Sequence, residues 1–344
     1  MAIFSVLLPT RNRVGFLRES LSSIQQQTLT DVEILVMDDG SQDGTAVFLD
    51  NAARCDDRIR IFRNERSAGL PAALNNLLFE ANGEWIARMD DDDLALPQRL
   101  ERQLEYATTH KLDVCGTWYR RFGWLPGGVG CPSTQHDAIV AGLLFRPPIL
   151  HPSVLMKRSL LIDANGYRSE YPHAEDYELW TRLAAIGARF GNVPEVLLKY
   201  RVSRHQISRR ANSKQVHSAR FIQERYLASM DIPATPEQVA LHVRVRDPVP
   251  IDSLTELQEF EAWLLYLHEH FHRSTLAADE IAQQWLFVGC RAAGLGAACW
   301  KMWKKSSLAA VIGSNKRALL FGLCASRMRY RSAPYRLLEP FAGA

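Results

Sequence analysis

The stretch Glu84-Trp-Ile-Ala-Arg-Met-Asp-Asp-Asp-Asp-Leu-Ala-Leu-Pro97 decides the fold, because a short apolar run ends in four consecutive carboxylates. The segment 85–89 has the length and composition of a buried strand, and Pro97 with the residues after it is typical of the first turn of a helix. The four acids at 90–93 are therefore predicted to lie at the carboxyl end of a strand. In open α/β sheets this is the edge where ligands bind.

The four acids at 90–93 need an explanation, because like charges repel and a folded protein tolerates them mainly beside a cation or a row of backbone N–H groups. A hard divalent metal is the first candidate. The alternative is a solvated turn in which Asp93 caps the following helix. The run alone does not decide between the two.

The segments around this run predict alternating strands and helices. Apolar runs predict strands at 3–8, 32–37, 59–63 and 84–89, with helical periodicity between them at 13–27, 43–54 and 69–82. This alternation predicts an α/β fold with a mainly parallel sheet flanked by helices, and places the loops after all four strands on one edge.

The second half of the chain carries helical periodicity instead, at 211–230, 236–245, 254–272, 277–297 and 306–328. We therefore expect two domains, an α/β domain at 1–214 and a helical C-terminal region at 215–344.

Composition restricts the class of protein. The chain has 344 residues, of which 47% are hydrophobic and 23% charged, and these values are typical of soluble globular proteins. Its start lacks a basic signal-peptide region, and no apolar run reaches the length of a membrane span. The six cysteines show no Cys-x-x-Cys spacing, so we expect free thiols and a cytoplasmic protein.

A second acidic strand end lies at Asp38-Asp39-Gly40-Ser41. In isolation this motif favours a tight turn. Its carboxylates can also accept hydrogen bonds from a base N–H or ribose hydroxyls, and the acidic strand end about 50 residues later favours that interpretation, a nucleotide pocket beside a metal. No glycine-rich dinucleotide or P-loop motif follows the first strand, so a nucleotide diphosphate would need a metal.

Ordered motifs over the first 210 or so residues resemble family 2 glycosyltransferases of the GT-A fold. These motifs are Val6-Leu-Leu-Pro-Thr-Arg-Asn12, Val36-Met-Asp-Asp-Gly-Ser-Gln-Asp-Gly-Thr45, Asn64 to Asn75, Ala87 to Pro97, His151-Pro-Ser-Val, Ala174-Glu-Asp-Tyr-Glu-Leu-Trp180 and Leu198-Lys-Tyr-Arg201. The resemblance implies transfer of a sugar from a nucleotide sugar, usually with inversion, using Mn²⁺ or Mg²⁺.

The resemblance also implies roles for residues. It places Pro9, Arg11 and Asp39 at the nucleotide base and ribose, and makes Asp90 and Asp92 the Asp-x-Asp pair, with Asp92 the direct metal ligand. Family members usually have a small residue where this chain has Asp91, so the coordinating carboxylates stay open. The other nucleotide-sugar contacts implied are Thr10, Asp38, Gly69, Asn75, Arg88, Asp90, Asp91 and Arg201.

Transfer to a hydroxyl needs a base, and Glu175-Asp176 precedes an amphipathic helix. Acids there can also simply interact with the helix dipole. The resemblance makes Asp176 the base and Glu175 the residue that orients the acceptor. Relatives often carry a histidine at the position of Ser203, and His205 is a candidate metal ligand from a shifted loop.

Two histidine motifs have plainer interpretations. His151 is more often structural than catalytic at such a position. His268-Glu-His-Phe-His272 matches the zinc-protease pattern, but no convincing third ligand follows, so we expect a solvated helix face.

The segment 301–336 contains nine Lys or Arg and no acid, with aromatic residues interleaved. A solvated surface, a nucleic-acid contact and an anionic membrane surface are the three interpretations. Nucleic acid fits a sugar-transfer site poorly. We expect peripheral contact with an anionic membrane through 300–336, at the inner face of the cell membrane.

The function predicted from the sequence is that of an inverting, metal-dependent glycosyltransferase of the hexosyltransferase class. Its donor is a nucleotide sugar, with UDP favoured, and its acceptor is a glycan or lipid-linked glycan. The alternatives are a nucleotide-sugar nucleotidyltransferase, whose usual glycine-rich first loop is missing, and a non-catalytic nucleotide-sugar-binding module.

Overall fold

The computed structural model describes residues 4–124, 127–203, 213–332 and 334–335 of the chain. It divides the chain into two compact units. The first comprises Met1–Ile139 and Pro147–Ile222, and the second comprises Val140–Arg146 and Gln223–Ala344. The domain limits expected from the sequence, 1–214 and 215–344, stay a prediction.

One mixed sheet forms the first unit, and within the described residues it has nine strands. These are β1 Phe4–Thr10, β2 Val32–Asp39, β3 Ile59–Asn64, β4 Trp85–Arg88, β5 Leu94–Ala95, β6 Val114–Gly123, β7 Val129–Gly130, β8 Leu155–Lys157 and β9 Phe190–Val202. Their order is β3-β2-β1-β4-β8-β6-β9-β5, and β7 pairs with β6.

The helices of this unit lie between the strands. They are α1 Val14–Gln25, α2 Thr45–Cys55, α3 Leu70–Glu80, α4 Arg99–Thr109, α5 His136–Gly142, α6 Arg158–Asp163 and α7 Glu175–Ala185. The predicted strands and helices of the first 90 residues are confirmed. Every residue of β1 is buried, as expected for a central parallel strand covered on both faces.

The topology places the acidic run beside the first loop. The strands β3, β2, β1 and β4 are mutually parallel, and β1 pairs with β2 on one side and with β4 on the other. The chain passes from β1 to β2 and β3 on one side, and β4 then pairs with the other side of β1. The strand order therefore reverses between β1 and β4. Ligands bind at such a switch point, outside the carboxyl ends of the strands.

The helix predicted from Pro97 is confirmed, and the alternative role of Asp93 as its cap is excluded. The helix after the acidic run begins at Arg99, with Gln98 as its N-cap, because the short strand β5 intervenes. Asp93 is therefore not a helix cap. The sequence of residues 151–157 predicts a strand, and this prediction was wrong for its first part. The segment His151–Ser153 forms a 3₁₀ turn, and the strand begins only at Leu155.

The second unit is helical, as predicted. The helices of the C-terminal part are α8 Ser213–Ser229, α9 Pro236–His242, α10 Leu254–His270, α11 Thr275–Arg291, α12 Ala297–Trp303 and α13 Ser314–Ala325. The indoles of Trp285 and Trp303 each donate to the other's backbone carbonyl, at 3.1 and 2.8 Å. The predicted helix 306–328 was too long, and α12 was not predicted as a separate helix. In the described part of the chain, every helix is too short or too polar to cross a bilayer.

Candidate active site

The loops after β1 and β2 are joined by hydrogen bonds. The backbone N–H of Asn12 donates to Ser41 Oγ at 2.9 Å, and the N–H of Gln42 donates to Asn12 Oδ1 at 2.7 Å. Asp38 accepts from the N–H of Ser41 at 2.9 Å, which is the tight-turn role. The two loops therefore form one rigid wall of the candidate site.

Asp39 organises the loop after β3. Its two carboxylate oxygens accept from Asn64 Nδ2 at 2.7 Å, Ser67 Oγ at 2.5 Å, Ala68 N at 2.8 Å and Gly69 N at 3.1 Å. Burial opposes ionisation, but these four donors outweigh it and lower the pKa of Asp39. A carboxylate has about four acceptor positions, so Asp39 is used to position this loop.

The acidic run forms a turn in which the four carboxylates have different partners. Asp91 is turned to the first loop, where it accepts from Thr10 Oγ1 at 2.8 Å and from Arg13 Nη1 at 3.3 Å. The same Arg13 nitrogen donates to Asp92 Oδ2 at 2.7 Å. Burial raises the pKa of Asp91 to about 6, against the opposing charge of Arg13.

The three other acids converge. Carboxylate oxygens of Asp90, Asp92 and Asp93 lie within 4.8 Å of one another. Burial first, and then the negative charge of Asp90, raises the pKa of both Asp92 and Asp93. Three crowded carboxylates in this environment favour a bound cation.

A second observation supports a cation at this triad. Asp93 is 0% exposed, and its Oδ1 accepts from the N–H of Arg201 at 2.7 Å, whereas its Oδ2 is buried without a hydrogen-bond partner. A buried acceptor without a partner is costly, and oxygen ligands are those that Mn²⁺ and Mg²⁺ prefer. The residues present fit a hard divalent metal.

The triad differs from the candidate ligands named in the sequence analysis, which stay a prediction. Asp90 and Asp92 belong to it, Asp91 does not, and Asp93 was missed. The candidate ligand His205 lies outside the described residues. The four-acid run itself was the signal for Asp93, but which acids of a turn converge depends on backbone angles that spacing does not reveal.

Arg88 connects the triad to the predicted base. It is 2% exposed, and its Nη2 pairs with Asp90 Oδ1 at 2.5 Å. Its positive charge also lowers the pKa of Glu175 and of Asp176, against larger opposing effects. The two acidic clusters therefore share one electrostatic environment in the first unit.

Glu175 and Asp176 form the first turn of α7. Burial, followed by the charge of Glu175, raises the pKa of Asp176 to about 7, although its Oδ1 accepts from the N–H of Tyr177 at 2.7 Å. Burial also raises the pKa of Glu175. A helix N-terminus favours ionised acids, so burial dominates here. A carboxylate whose pKa is near neutrality suits a general base.

Comparison with known proteins now identifies the family. Residues 5–126 match the family model described as glycosyl transferase family 2. The putative glycosyltransferase EpsE of Bacillus subtilis is 34% identical over 222 residues, which cover 62% of this chain and 78% of EpsE. The chain belongs to glycosyltransferase family 2. The resemblance noted in the motifs is confirmed, as is the prediction of a transferase enzyme.

Another relative of the transferase is the Escherichia coli UDP-Gal:alpha-D-GlcNAc-diphosphoundecaprenol beta-1,3-galactosyltransferase. It is 30% identical over 216 residues, which cover 61% of this chain and 78% of that protein.

Solved structures confirm the fold class of the transferase. The S. aureus TarS 1–349 structure with UDP-GlcNAc matches with a TM-score of 0.55 and 16% identity, covering 97% of this chain and 91% of that chain. The mannosyltransferase PcManGT from Pyrobaculum calidifontis, in complex with GDP-Man and Mn²⁺, matches with a TM-score of 0.52 and 18% identity, covering 99% and 84%. The likeness supports the GT-A fold predicted from the motifs.

Several predicted contact residues of the transferase have structural partners. Asn75 donates from Nδ2 to the Tyr167 carbonyl and accepts from the Tyr167 N–H, both at 2.8 Å. His151 is buried and bonds the Tyr167 hydroxyl through Nε2 at 3.0 Å. Burial, with the charge of Arg88, lowers the pKa of His151 well below its usual range, so the ring is neutral. These contacts support a structural His151.

Arg201 braces the acidic turn. Its Nε donates to the Asp92 carbonyl at 2.6 Å, its Nη2 to Glu19 at 2.6 Å, and its guanidinium lies against the rings of Phe16 and Phe122. Arg201 therefore supports the turn that carries the triad.

The first loop contains the remaining predicted contacts. Pro9 and Thr10 are buried at the end of β1, whereas Arg11 is exposed. Gly69 adopts a φ of +88°, which L side chains rarely adopt, and its N–H donates to Asp39. The described candidates thus lie at the ends of β1, β2 and β4, in and just before α3, on β9 and at the start of α7, and their contacts with nucleotide remain predictions.

The segment His268-Glu-His-Phe-His272 was expected to form a solvated helix face, and Glu269, His270 and His272 are exposed. Among the described residues, the side chains that could together hold a metal are those of the triad, and His268 and His272 are not part of it. Phe260, Leu264 and Leu267 on the same helix are fully buried, whereas Phe271 is half-buried.

Proposed function

We propose that the transferase moves a sugar from a nucleotide-diphosphate sugar to a hydroxyl of a glycan or lipid-linked glycan, with inversion, and that Mn²⁺ or Mg²⁺ is its cofactor. The observation that carries the proposal is the convergence of Asp90, Asp92 and Asp93 at the switch point, beside the loops after β1 and β2. The unpartnered Oδ2 of Asp93 supports a cation at this position.

In this proposal Asp90, Asp92 and Asp93 hold the metal. When bound, a divalent ion neutralises negative charge on the diphosphate as it leaves. Arg88 orients Asp90 through their 2.5 Å ion pair, and Arg201 fixes the turn through Asp93 and the Asp92 carbonyl. Positioning the carboxylates in advance lowers the cost of reorganisation during transfer.

Asp176 acts as the base. The acceptor oxygen attacks the anomeric carbon, the bond from that carbon to the diphosphate oxygen breaks, and the diphosphate leaves with the bonding electrons. The acceptor hydroxyl proton passes to the Asp176 carboxylate. The pKa of about 7 makes this residue a better proton acceptor than an ordinary aspartate. Glu175, which precedes it, orients the acceptor.

UDP is the proposed nucleotide. The name of the E. coli relative, 30% identical to this chain, includes UDP-Gal. The same name includes a diphosphoundecaprenol acceptor, which supports a lipid-linked acceptor here. The cytoplasmic location expected from the sequence stays a prediction.

Peripheral contact with an anionic membrane belongs to the same proposal. Lys301, Lys304 and Lys305 are exposed on and just after α12. Phe321 is 51% exposed and packs edge-on against Trp300, with 5.3 Å between ring centroids. Lysines beside exposed aromatic rings suit the headgroup region of anionic lipid. Trp303 takes no part, since it is fully buried.

Vesicle sedimentation tests the membrane contact. Replacing the three lysines by glutamine should weaken binding to phosphatidylglycerol vesicles on the order of 100-fold, at about 1 kcal/mol for each cation. High salt should have a similar effect on the wild type. A control with the same charge change replaces exposed cations of the first unit, Arg18, Arg54 and Lys111. Equal binding by both variants would contradict the membrane contact.

A panel of UDP-, GDP- and dTDP-sugars with and without Mn²⁺ tests the enzymatic proposal. Donor binding should raise the melting temperature in a way that grows with ligand concentration and requires Mn²⁺. Slow hydrolysis should release nucleoside diphosphate and free sugar. Release of pyrophosphate would instead indicate a nucleotidyltransferase, and metal-independent binding would remove the cofactor from the proposal.

A further inference from the structure

Arg13 lies directly over the acidic turn. It is the residue before α1, and its Nη1 donates to Asp92 Oδ2 at 2.7 Å and to Asp91 Oδ1 at 3.3 Å. The Arg13 side chain is 42% exposed, whereas the side chains of Asp91 and Asp92 are 9% and 13% exposed. Part of the Arg13 side chain therefore remains open toward solvent.

The two partners of Arg13 differ in kind. Asp92 belongs to the triad, whereas Asp91 is turned away from it and is held by the hydroxyl of Thr10 at 2.8 Å. Arg13 thus bridges one carboxylate that the metal would need and one that the metal would not use. This bridge is possible only because the run contains Asp91 in addition to the three acids of the triad.

A guanidinium and a divalent cation on the same carboxylate repel each other, and the repulsion is strong where the carboxylates are mostly buried. Asp92 can satisfy only one of them fully. Asp91 has no such conflict, so its ion pair with Arg13 can persist while the metal is bound.

We propose that Arg13 competes with the divalent cation for Asp92. Once displaced, Arg13 stays beside the site through its ion pair with Asp91, and the exposed part of its side chain can bind the donor diphosphate. The inference rests on the proposed function. It predicts that metal and nucleotide bind cooperatively, because the diphosphate provides a new partner for the guanidinium that the metal displaces. Arg13 is a donor-binding residue in this account.

Calorimetric titration of Mn²⁺, with and without UDP, tests the inference through binding rather than turnover. Arg13→Gln should bind Mn²⁺ alone about two- to fivefold more tightly than the wild type, the range for losing a half-exposed ion pair. The factor by which UDP strengthens Mn²⁺ binding should become smaller. Arg13→Lys keeps the charge and should lie between the two, and melting temperatures verify folding.

Arg18→Gln is the matched control. Arg18 is exposed on α1, and its guanidinium lies over Phe48, so the variant removes the same charge from the same helix without touching the turn. Weaker Mn²⁺ binding by Arg13→Gln would mean that Arg13 supports the metal ligand, and affinity equal to that of Arg18→Gln would mean that it has no role. Either result overturns the inference and leaves the proposed function standing. A wild type that binds no Mn²⁺, even with UDP, would overturn both.

Discussion

The acidic turn at 90–93 and the acidic pair at 175–176 contain the same chemical groups. Burial is the largest cause of the raised pKa values, which belong to Asp91, Asp92, Asp93, Glu175 and Asp176. Their surroundings differ. The turn is bound by Arg13, Arg88 and Arg201, whereas the pair lies at a helix N-terminus. Crowded carboxylates in such surroundings are suited to bind a metal cation, and an acid with a pKa near 7 is suited to accept a proton.

The comparison teaches that a raised pKa does not reveal what a carboxylate does. In the turn, the protonated form would be favoured only while no cation compensates the mutual repulsion of the acids. In the pair, Asp176 exchanges its proton near neutral pH, which is the behaviour a base requires. The variants below separate these two roles.

The largest effect is expected at the proton acceptor. Asp176→Asn keeps the size of the side chain but cannot accept the proton, so turnover should fall on the order of 10²- to 10⁴-fold. Affinity for UDP with Mn²⁺ should stay near the wild-type value. Steady-state kinetics and calorimetry measure the two quantities, and Glu175→Gln serves as the neighbouring control. Near-normal transfer by Asp176→Asn would move the base elsewhere, first to Glu175.

A loss of metal affinity of about 100-fold or more is expected for Asp92→Ala, since replacing even an outer partner of a metal ligand costs about 10- to 100-fold. Manganese binding can be followed by electron paramagnetic resonance. The variant should also lose Mn²⁺-dependent donor binding. Unchanged affinity would remove Asp92 from the ligand set.

The pH dependence should show the same division. Below its pKa, Asp176 is protonated and cannot act as a base, so kcat should fall about tenfold for each unit of pH below about 7 and level off above it. The measurement is kcat at saturating donor between pH 5 and 9. Asp176→Asn should lack this limb. If kcat of Asp176→Asn still falls below pH 7, the titrating group is a residue other than Asp176.

Asp91→Asn should have the smallest effect, because Asp91 lies outside the triad and bonds Thr10 and Arg13 instead. The variant should bind Mn²⁺ about fivefold more weakly, which corresponds to losing about 1 kcal/mol of hydrogen bonding. Titrating Mn²⁺ into Asp91→Asn and into Asp92→Ala compares the metal affinities of two variants in the same turn. Equal losses in the two variants would place Asp91 among the ligands.

The first 90 residues could be predicted well, because strand and helix periodicities alternate there and each strand ends in turn residues. The pairing of β8 between β4 and β6 could not be, since β8 has three residues and its partners are distant in sequence. The sequence also cannot reveal that Asp39 accepts from four donors, which come from the end of β3 and the loop after it.

The same limit applies to the residues of the site. The four-acid run predicts a metal site at 90–93, which stays a prediction. The run could not reveal that Asp91 turns to Thr10 while Asp93 turns inward, because those directions follow from the backbone of the turn. In the C-terminal unit, Trp300 and Trp303 look alike in sequence. The first packs beside exposed Phe321, and the second is buried against Trp285.

Binding of UDP to Asp92→Ala and Asp176→Asn, measured by calorimetry with and without Mn²⁺, tests the central claim most directly. The account predicts that Asp176→Asn keeps Mn²⁺-dependent binding at near wild-type affinity and that Asp92→Ala loses it. Equal loss in both variants, or no loss in either, would contradict the division of the two acidic clusters into a metal site and a base.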